Sequence, residues 1–326
     1  MKFPRLFAWI LAGLALAGIC AALILTSAPT TLHVRTAEAG GFSPDYIQIR
    51  AGQPLHLRLV ADKVEHTFAI GQSPLEPVTL RPGQPVEITL TFAQPGKYTF
   101  YTTTPSSLNF WRVRGTLEVT GGDAIPAAEP PLYVRLGLDL DAEHESEGEM
   151  SPGWTRQPSA RRGAALQAQI PSAFLTSAYY LSHSPMEAYE ELRGESTLKA
   201  LSSDDLWDLV ATLWQRQASQ AALDEGKQLY EVNCAACHGV SGAGDGQFAD
   251  EMKALAEKNQ AEHGLQAPTD FTNPEHLLEA KPAILQGKLL RGGMGTGMPM
   301  WGGIFTDEQT WEVVAYLYTF QFDDSQ

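Results

Sequence analysis

Two cysteines three positions apart and a histidine directly after them form the stretch of this chain with the plainest chemical use: Cys234-Ala235-Ala236-Cys237-His238. Thiols at that spacing at a helix end can each add to one vinyl group of the same porphyrin. The adjoining imidazole then sits under the iron as proximal ligand. A zinc site would need further cysteines or histidines at finger-like spacing, and the third cysteine, Cys20, lies in an N-terminal apolar run. A Cys-x-x-Cys redox pair has no use for the histidine. The motif therefore predicts one covalent haem c, attached through Cys234 and Cys237 and ligated by His238.

Downstream, the segment from about Ala221 to Gln326 resembles a class I cytochrome c along its whole length. Leu223 to Tyr230 is similar to the family's N-terminal helix, with Gly226 and Tyr230 four apart on one face. In the family that face crosses the C-terminal helix, where the small residue permits close approach. Gly297-Met298-Pro299 matches the distal-ligand loop, so the resemblance implies Met298 as second axial ligand, with Met300 as the fallback and Met294 close by. A thioether is a soft neutral donor, and His/Met ligation favours ferrous iron. Pro268 resembles the family proline whose carbonyl accepts a hydrogen bond from the proximal imidazole. Helical spacing over Asp250 to Glu262 predicts an inserted surface helix.

The elements that must position these groups occupy a chain of 326 residues, long enough for two or three domains. Formal charge is −15 with 44% apolar residues, which describes a globular chain with an acidic surface and disfavours a nucleic-acid partner. Three cysteines, two of them assigned to haem, leave no disulfide framework. Leu6 to Thr26 is 21 residues without a charge. As a helix it would span about 31 Å, the hydrocarbon thickness of a bilayer. Lys2 and Arg5 before it put the N-terminus inside and the bulk of the chain on the periplasmic or extracytoplasmic side. A cleaved signal peptide is the rival reading, but the apolar run is too long and Pro29 follows the best cleavage site. A lipoprotein is the other alternative at Cys20, with Ile19 too bulky for the position before a lipidated cysteine. Covalent haem attachment implies export as well, through the family resemblance.

Thr31 to Gly121 reads as strands. Leu55, Leu57 and Leu59 alternate with His56 and Arg58, and Val86, Ile88, Leu90 and Phe92 alternate with polar residues. Turn signals at Ala51-Gly52, Arg81-Pro82-Gly83 and Gln94-Pro95-Gly96 punctuate them, which predicts a β-sandwich. This stretch also resembles a cupredoxin, through Gly41-Phe42-Ser43-Pro44-Asp45, His66-Thr67-Phe68 and Gly96-Lys97-Tyr98-Thr99-Phe100. Binuclear-copper members carry C-x3-C-x3-H-x2-M in the following loop. Here those positions are Thr102, Ser106, Phe110 and Val113. Hydroxyls and apolar groups cannot replace bridging thiolates, so no copper is expected. His66 alone is not a site and reads as a structural residue.

Residues 122–163 read as a linker with Pro126, Pro130, Pro131 and an acidic run from Asp139 to Glu149, the kind of run that is usually solvated. Beyond it lies a cryptic repeat. Trp207, Val210, Ala211 and Leu213 match Trp311, Val314, Ala315 and Leu317 at an offset of 104 residues. Pro171, Phe174, Leu181 and Pro185 match Pro268, Phe271, Leu278 and Pro282 at 97. The first copy lacks both the Cys-x-x-Cys-His run and the methionine loop. The expected architecture is a transmembrane anchor (1–28), an all-β cupredoxin-like domain without copper (29–121), the linker (122–163), a degenerate haemless cytochrome c-like remnant (164–216) and an all-α cytochrome c domain (217–326).

That order resembles subunit II of haem-copper oxidases with a fused cytochrome. The resemblance implies a non-catalytic electron-transfer chain, the electron-input subunit of a haem-copper oxidase or nitric-oxide-reductase-type complex, with respiratory redox proteins as partners in a hetero-oligomeric assembly. The alternatives are an independent anchored shuttle and a haem-based gas sensor. A dihaem peroxidase would need two Cys-x-x-Cys-His motifs.

Overall fold

A computed structural model describes residues 28–106, 109–122, 129–141, 152–259, 267–293 and 297–323. The apolar run Leu6 to Thr26, Cys20 and Met294 lie outside the described residues. Among those described, no helix is long and apolar enough to cross a membrane.

The first part is all strand: β1 (Thr30–Val34), β2 (Tyr46–Arg50), β3 (Pro54–Ala61), β4 (His66–Ile70), β5 (Val78–Leu80), β6 (Val86–Thr91), β7 (Gly96–Tyr101) and β8 (Arg114–Thr120). One sheet has the order β1-β3-β6 and the other β2-β8-β7-β4-β5. Strand β1 runs parallel to β3 and β2 parallel to β8, while the remaining pairs are antiparallel. The period-two pattern aims Leu55, Leu57 and Leu59 at Phe68, Phe100 and Leu117 of the opposite sheet, and all six are buried. Val86, Ile88 and Leu90 alternate as expected but are only half buried, because β6 is the outer strand of its sheet. The turns after β2 and β5 use Gly52 and Gly83 at φ of 77° and 75°, a region open to glycine without steric penalty.

The second part is helical: α1 (Leu132–Arg135), α2 (Ala160–Ala164), α3 (Ser177–Ser182), α4 (Pro185–Gly194), α5 (Ser203–Gln215), α6 (Gln220–Asn233), α7 (Ala235–His238), α8 (Ala249–Asn259), α9 (Pro274–Leu278), α10 (Pro282–Arg291) and α11 (Asp307–Leu317). Helix α8 occupies the position expected for the inserted helix. At the start of the acidic run Asp139 and Asp141 are exposed, as the run suggests, and residues 142–149 lie outside the described residues. Leu140 is buried, and Arg291 at the end of α10 donates two bonds to Asp141 at 2.6 and 2.7 Å.

Two helix pairs in this part are built alike. Helices α4 and α10 each have ten residues and a proline in the first turn. Helices α5 and α11 each begin with a capping box, Ser202 with Asp205 and Thr306 with Gln309. Each of the latter is crossed by a helix through a glycine. A Cβ on Gly226 of α6 would lie 2.2 Å from the Glu312 carbonyl oxygen, and one on Gly163 of α2 would lie 2.0 Å from that of Asp208. Glu312 and Asp208 are themselves 104 residues apart. All this packs into a single apolar core in which Trp214 of α5 meets Tyr318 at 6.0 Å between ring centres. Buried Asp208 accepts bonds from Arg156, Arg162 and the Ser159 N–H at 2.7 to 2.9 Å, which satisfies a charge that would otherwise oppose burial.

Both crossings are too close for any side chain larger than hydrogen. Gly226→Val and Gly163→Val are each expected to destabilise the helical part by about 1–3 kcal/mol, the usual range for overpacking, read as a fall in thermal midpoint. Gly194→Val, at an open helix end with nothing within 4 Å of its Cβ position, serves as the control.

Candidate haem site

The Cys-x-x-Cys-His run sits where one helix ends and a single turn begins. Helix α6 stops at Asn233. The Cys234 N–H still donates to the Tyr230 carbonyl at 2.8 Å, while the Cys234 carbonyl accepts from Cys237 and His238 at 3.1 and 3.0 Å and so starts α7. That turn puts the two sulfurs on one side. The fully buried Tyr230 closes the turn by donating its hydroxyl to the Gly239 carbonyl at 2.8 Å. Burial pushes the thiols up, Cys234 to about 12 and Cys237 to about 11, so neither is ionised at neutral pH.

The His238 ring stacks on Phe271 at 4.7 Å between centres, and its Nδ1 lies 3.1 Å from the Thr269 carbonyl. Burial holds the imidazole below the ordinary histidine range, with the Thr269 bond working the other way. A neutral ring that donates through Nδ1 keeps the Nε2 lone pair for a metal. The accepting carbonyl belongs to Thr269 and not to Pro268, which corrects the expectation from sequence. Pro268 turns its carbonyl oxygen onto Gly244, where a Cβ would meet it at 2.7 Å, and the carbonyl one residue on faces the ring. Pro268 itself still lines the cleft.

Cys234, Cys237, His238 and Met298 line one cleft. Its walls include Met252, Trp301 and, from the sandwich, Phe110 and Trp111. Met300 stands outside it, 58% exposed. Two protonated thiols, a neutral imidazole and a thioether in one largely apolar cleft fit a covalently bound haem. Phe110, Trp111 and Met252 are not suggested by the sequence, since the first two reach the cleft from another domain and the last sits on an ordinary amphipathic helix.

Three positions that the cupredoxin resemblance aligns with copper ligands, Thr102, Phe110 and Val113, make ordinary packing and hydrogen-bond contacts. Phe110 is buried and stacks on Phe248 at 5.9 Å between centres, and Val113 is buried in the sandwich core. Thr102 lies within 3.4 Å of the Thr67 hydroxyl, which also accepts from the Thr103 N–H at 2.8 Å. His66 is fully buried and neither ring nitrogen has a hydrogen-bond partner. Among the described residues, no three histidine, cysteine or acidic side chains cluster as a metal site would require.

Comparison with known proteins finds two family matches in separate parts of the chain. Residues 223–321 match the family model described as cytochrome c, and residues 8–110 match that of the cupredoxin-like domain. The chain therefore carries both kinds of domain, each typical of electron carriers. Among solved structures, auracyanin from Roseiflexus castenholzii is similar at 14% identity over 29% of this chain and 100% of its own, with a TM-score of 0.24. A heme-copper terminal oxidase dimer is similar at 19% identity over 28% of this chain and 63% of its own, with a TM-score of 0.25. Plastocyanin from the fern Dryopteris crassirhizoma is 25% identical over 28% of this chain and 100% of its own, at 0.21. Likeness of this degree does not carry function from one chain to another. No curated protein matches.

His66 gives the site region a pH signature. Burial lowers its affinity for a proton, with Asp62 opposing in part. As pH falls below the ordinary histidine value of about 6.5, the unfolded chain takes up a proton that the folded chain refuses, so stability must drop. Urea unfolding between about pH 7 and 5 is expected to show that slope in the parent protein and a shallower one in His66→Phe.

Proposed function

We propose that this chain is a membrane-anchored, outward-facing monohaem cytochrome c that carries single electrons, and that it serves as the electron-input subunit of a haem-copper oxidase or nitric-oxide-reductase-type complex. The observation that carries the electron-transfer reading is the meeting of Cys234, Cys237, His238 and Met298 in one cleft. Bound there, haem supplies a one-electron ferric/ferrous couple. The two cysteines would retain it by thioether bonds. His238 would ligate through Nε2, its ring plane fixed by the Thr269 carbonyl and the Phe271 face. Met298 would hold the iron together with His238, which would leave no open site for substrate and make the chain a carrier rather than a catalyst. Apolar walls from Trp301 and Phe110 would limit water at the bound group and favour its less charged ferrous state.

The complex is inferred from the order of domains: apolar N-terminal run, cupredoxin-like domain, cytochrome c. With thiolates absent from the copper loop, electrons would pass from this haem to a haem of the partner subunit. The region from α2 to α5 is read as a second cytochrome c unit without haem. Its support is the repeated glycine crossing, the two capping boxes and the equal lengths of α4 and α10. In that reading α2 stands where α6 stands in the haem-bearing unit.

Purification from mild detergent tests the assignment to a complex. Co-purification with a haem-copper catalytic subunit is expected, and a protein that always runs alone would count for an independent shuttle. Carbon monoxide tests the sealed iron. The reduced protein is expected to refuse it at neutral pH, Met298→Ala to bind it fully, and Met300→Ala to behave as the parent. Rapid binding by the parent would favour a gas sensor.

A further inference from the structure

The chain that follows Met298-Pro299 is gripped from the sandwich side. Arg114, the first residue of β8, donates through Nη1 to the Met300 carbonyl at 2.7 Å. Its guanidinium lies 5.2 Å from the Trp301 ring centre. Gln72, two residues past β4, donates its backbone N–H to the Ile304 carbonyl at 3.0 Å and its side-chain amide to the Gly302 and Phe305 carbonyls, both at 3.2 Å. Four carbonyls between 300 and 305 are thus held by two residues of another domain. Gln72 adopts φ 57°, which is uncommon for a residue with a side chain. Gly71 before it lies so close that a Cβ would sit 2.5 Å from the Ile304 Cα.

The opposite side of the same loop is tied to α10. The Trp301 and Gly302 N–H groups donate to the Leu289 and Leu290 carbonyls at 2.9 and 3.3 Å, and the Gly293 N–H donates to the Met298 carbonyl at 3.1 Å. The loop is therefore held between a helix of its own domain and the strand ends of the sandwich. Holding of this kind matters for a thioether ligand. A neutral sulfur binds iron weakly compared with an imidazole, so its occupancy competes with opening of the loop that carries it. Hydrogen bonds made only in the closed loop shift that competition towards ligation.

We infer that the sandwich acts as a clamp on the distal-ligand loop, with Gln72 and Arg114 as positioning residues that keep the Met298 sulfur on the iron; this rests on the reading of Met298 as distal ligand. The domain that lacks copper donors thereby has a task in the redox chemistry of its neighbour. Burial lowers the Arg114 guanidinium to about 10, which still leaves it charged at neutral pH and able to make the strong form of its bond to the Met300 carbonyl.

The test uses the full-length holoprotein with Gln72→Gly, Arg114→Gln and the pair together. Gln72→Gly keeps the backbone N–H and suits the positive φ, so it removes only the two side-chain bonds. The sulfur-to-iron charge-transfer band of the ferric form is followed against pH, and carbon monoxide binding is followed in the ferrous form. The double variant is expected to lose the band at lower pH than the parent and to bind carbon monoxide at least about tenfold faster, since loss of the charged hydrogen bond alone implies that much. Arg114→Lys is expected to restore part of the difference. Thermal unfolding separates loss of the clamp from loss of the fold, and Gln72→Gly alone reports if the double variant is unstable. If Met298→Ala abolishes the band while the clamp variants leave band and carbon monoxide kinetics as in the parent, the clamp is overturned and the ligand assignment stands. If Met298→Ala retains the band, the ligand assignment itself fails.

Discussion

Four side chains from two separate stretches must reach one cleft, and the helix crossing at Gly226 is what makes this geometrically possible. Helix α6 delivers Cys234 at its end, and α11 follows directly on the loop that contains Met298. The distance between those two helices fixes how far the loop can stand from the Cys-x-x-Cys-His turn. With a Cβ position only 2.2 Å from the Glu312 carbonyl, no larger residue lets the two axes approach this way. Tyr230, one turn beyond Gly226, then locks the haem turn through Gly239. Backbone packing upstream of the motif thus sets the frame in which the chemistry happens.

The same geometry recurs without chemistry in the first helical unit. There α2 meets α5 through Gly163, but no cysteine or methionine loop follows. Its interior is closed by side chains instead. Trp207 is fully buried, stacked on Tyr189 at 4.5 Å and met edge-on by Trp154 at 5.1 Å. Both units then share one core, so the haem-bearing unit gains apolar cover on a side that an isolated small domain would leave to water.

Local signals were readable and distant contacts were not. Covalent chemistry at Cys234, Cys237 and His238 depends on adjacent residues, and period-two alternation marked the sandwich strands. The cleft brings those three residues together with Met298, as the motif and the resemblance together suggested. The imidazole's partner was misplaced by one residue because a carbonyl's direction depends on backbone torsions that Pro268 does not announce. The burial of Leu140 and the ion pair of exposed Asp141 were missed for a different reason: an acidic run does not announce its arginine partner, 150 residues away. Phe110 was read from the resemblance as a position without a copper donor, a reading silent about its neighbours, and Trp111 carried no signal at all.

Phe110 bears on how the two parts of the molecule are joined. The cupredoxin resemblance aligns it with a copper histidine, and its ring stacks on Phe248 at the joint between domains. Val113, at the position of the thioether, is buried in the sandwich. A polar ring at Phe110 would break a packed aromatic contact and sit in an apolar seam. Packing at this joint makes the two parts of the protein mutually dependent: a change at Phe110 in the sandwich is felt at Phe248 in the helical part.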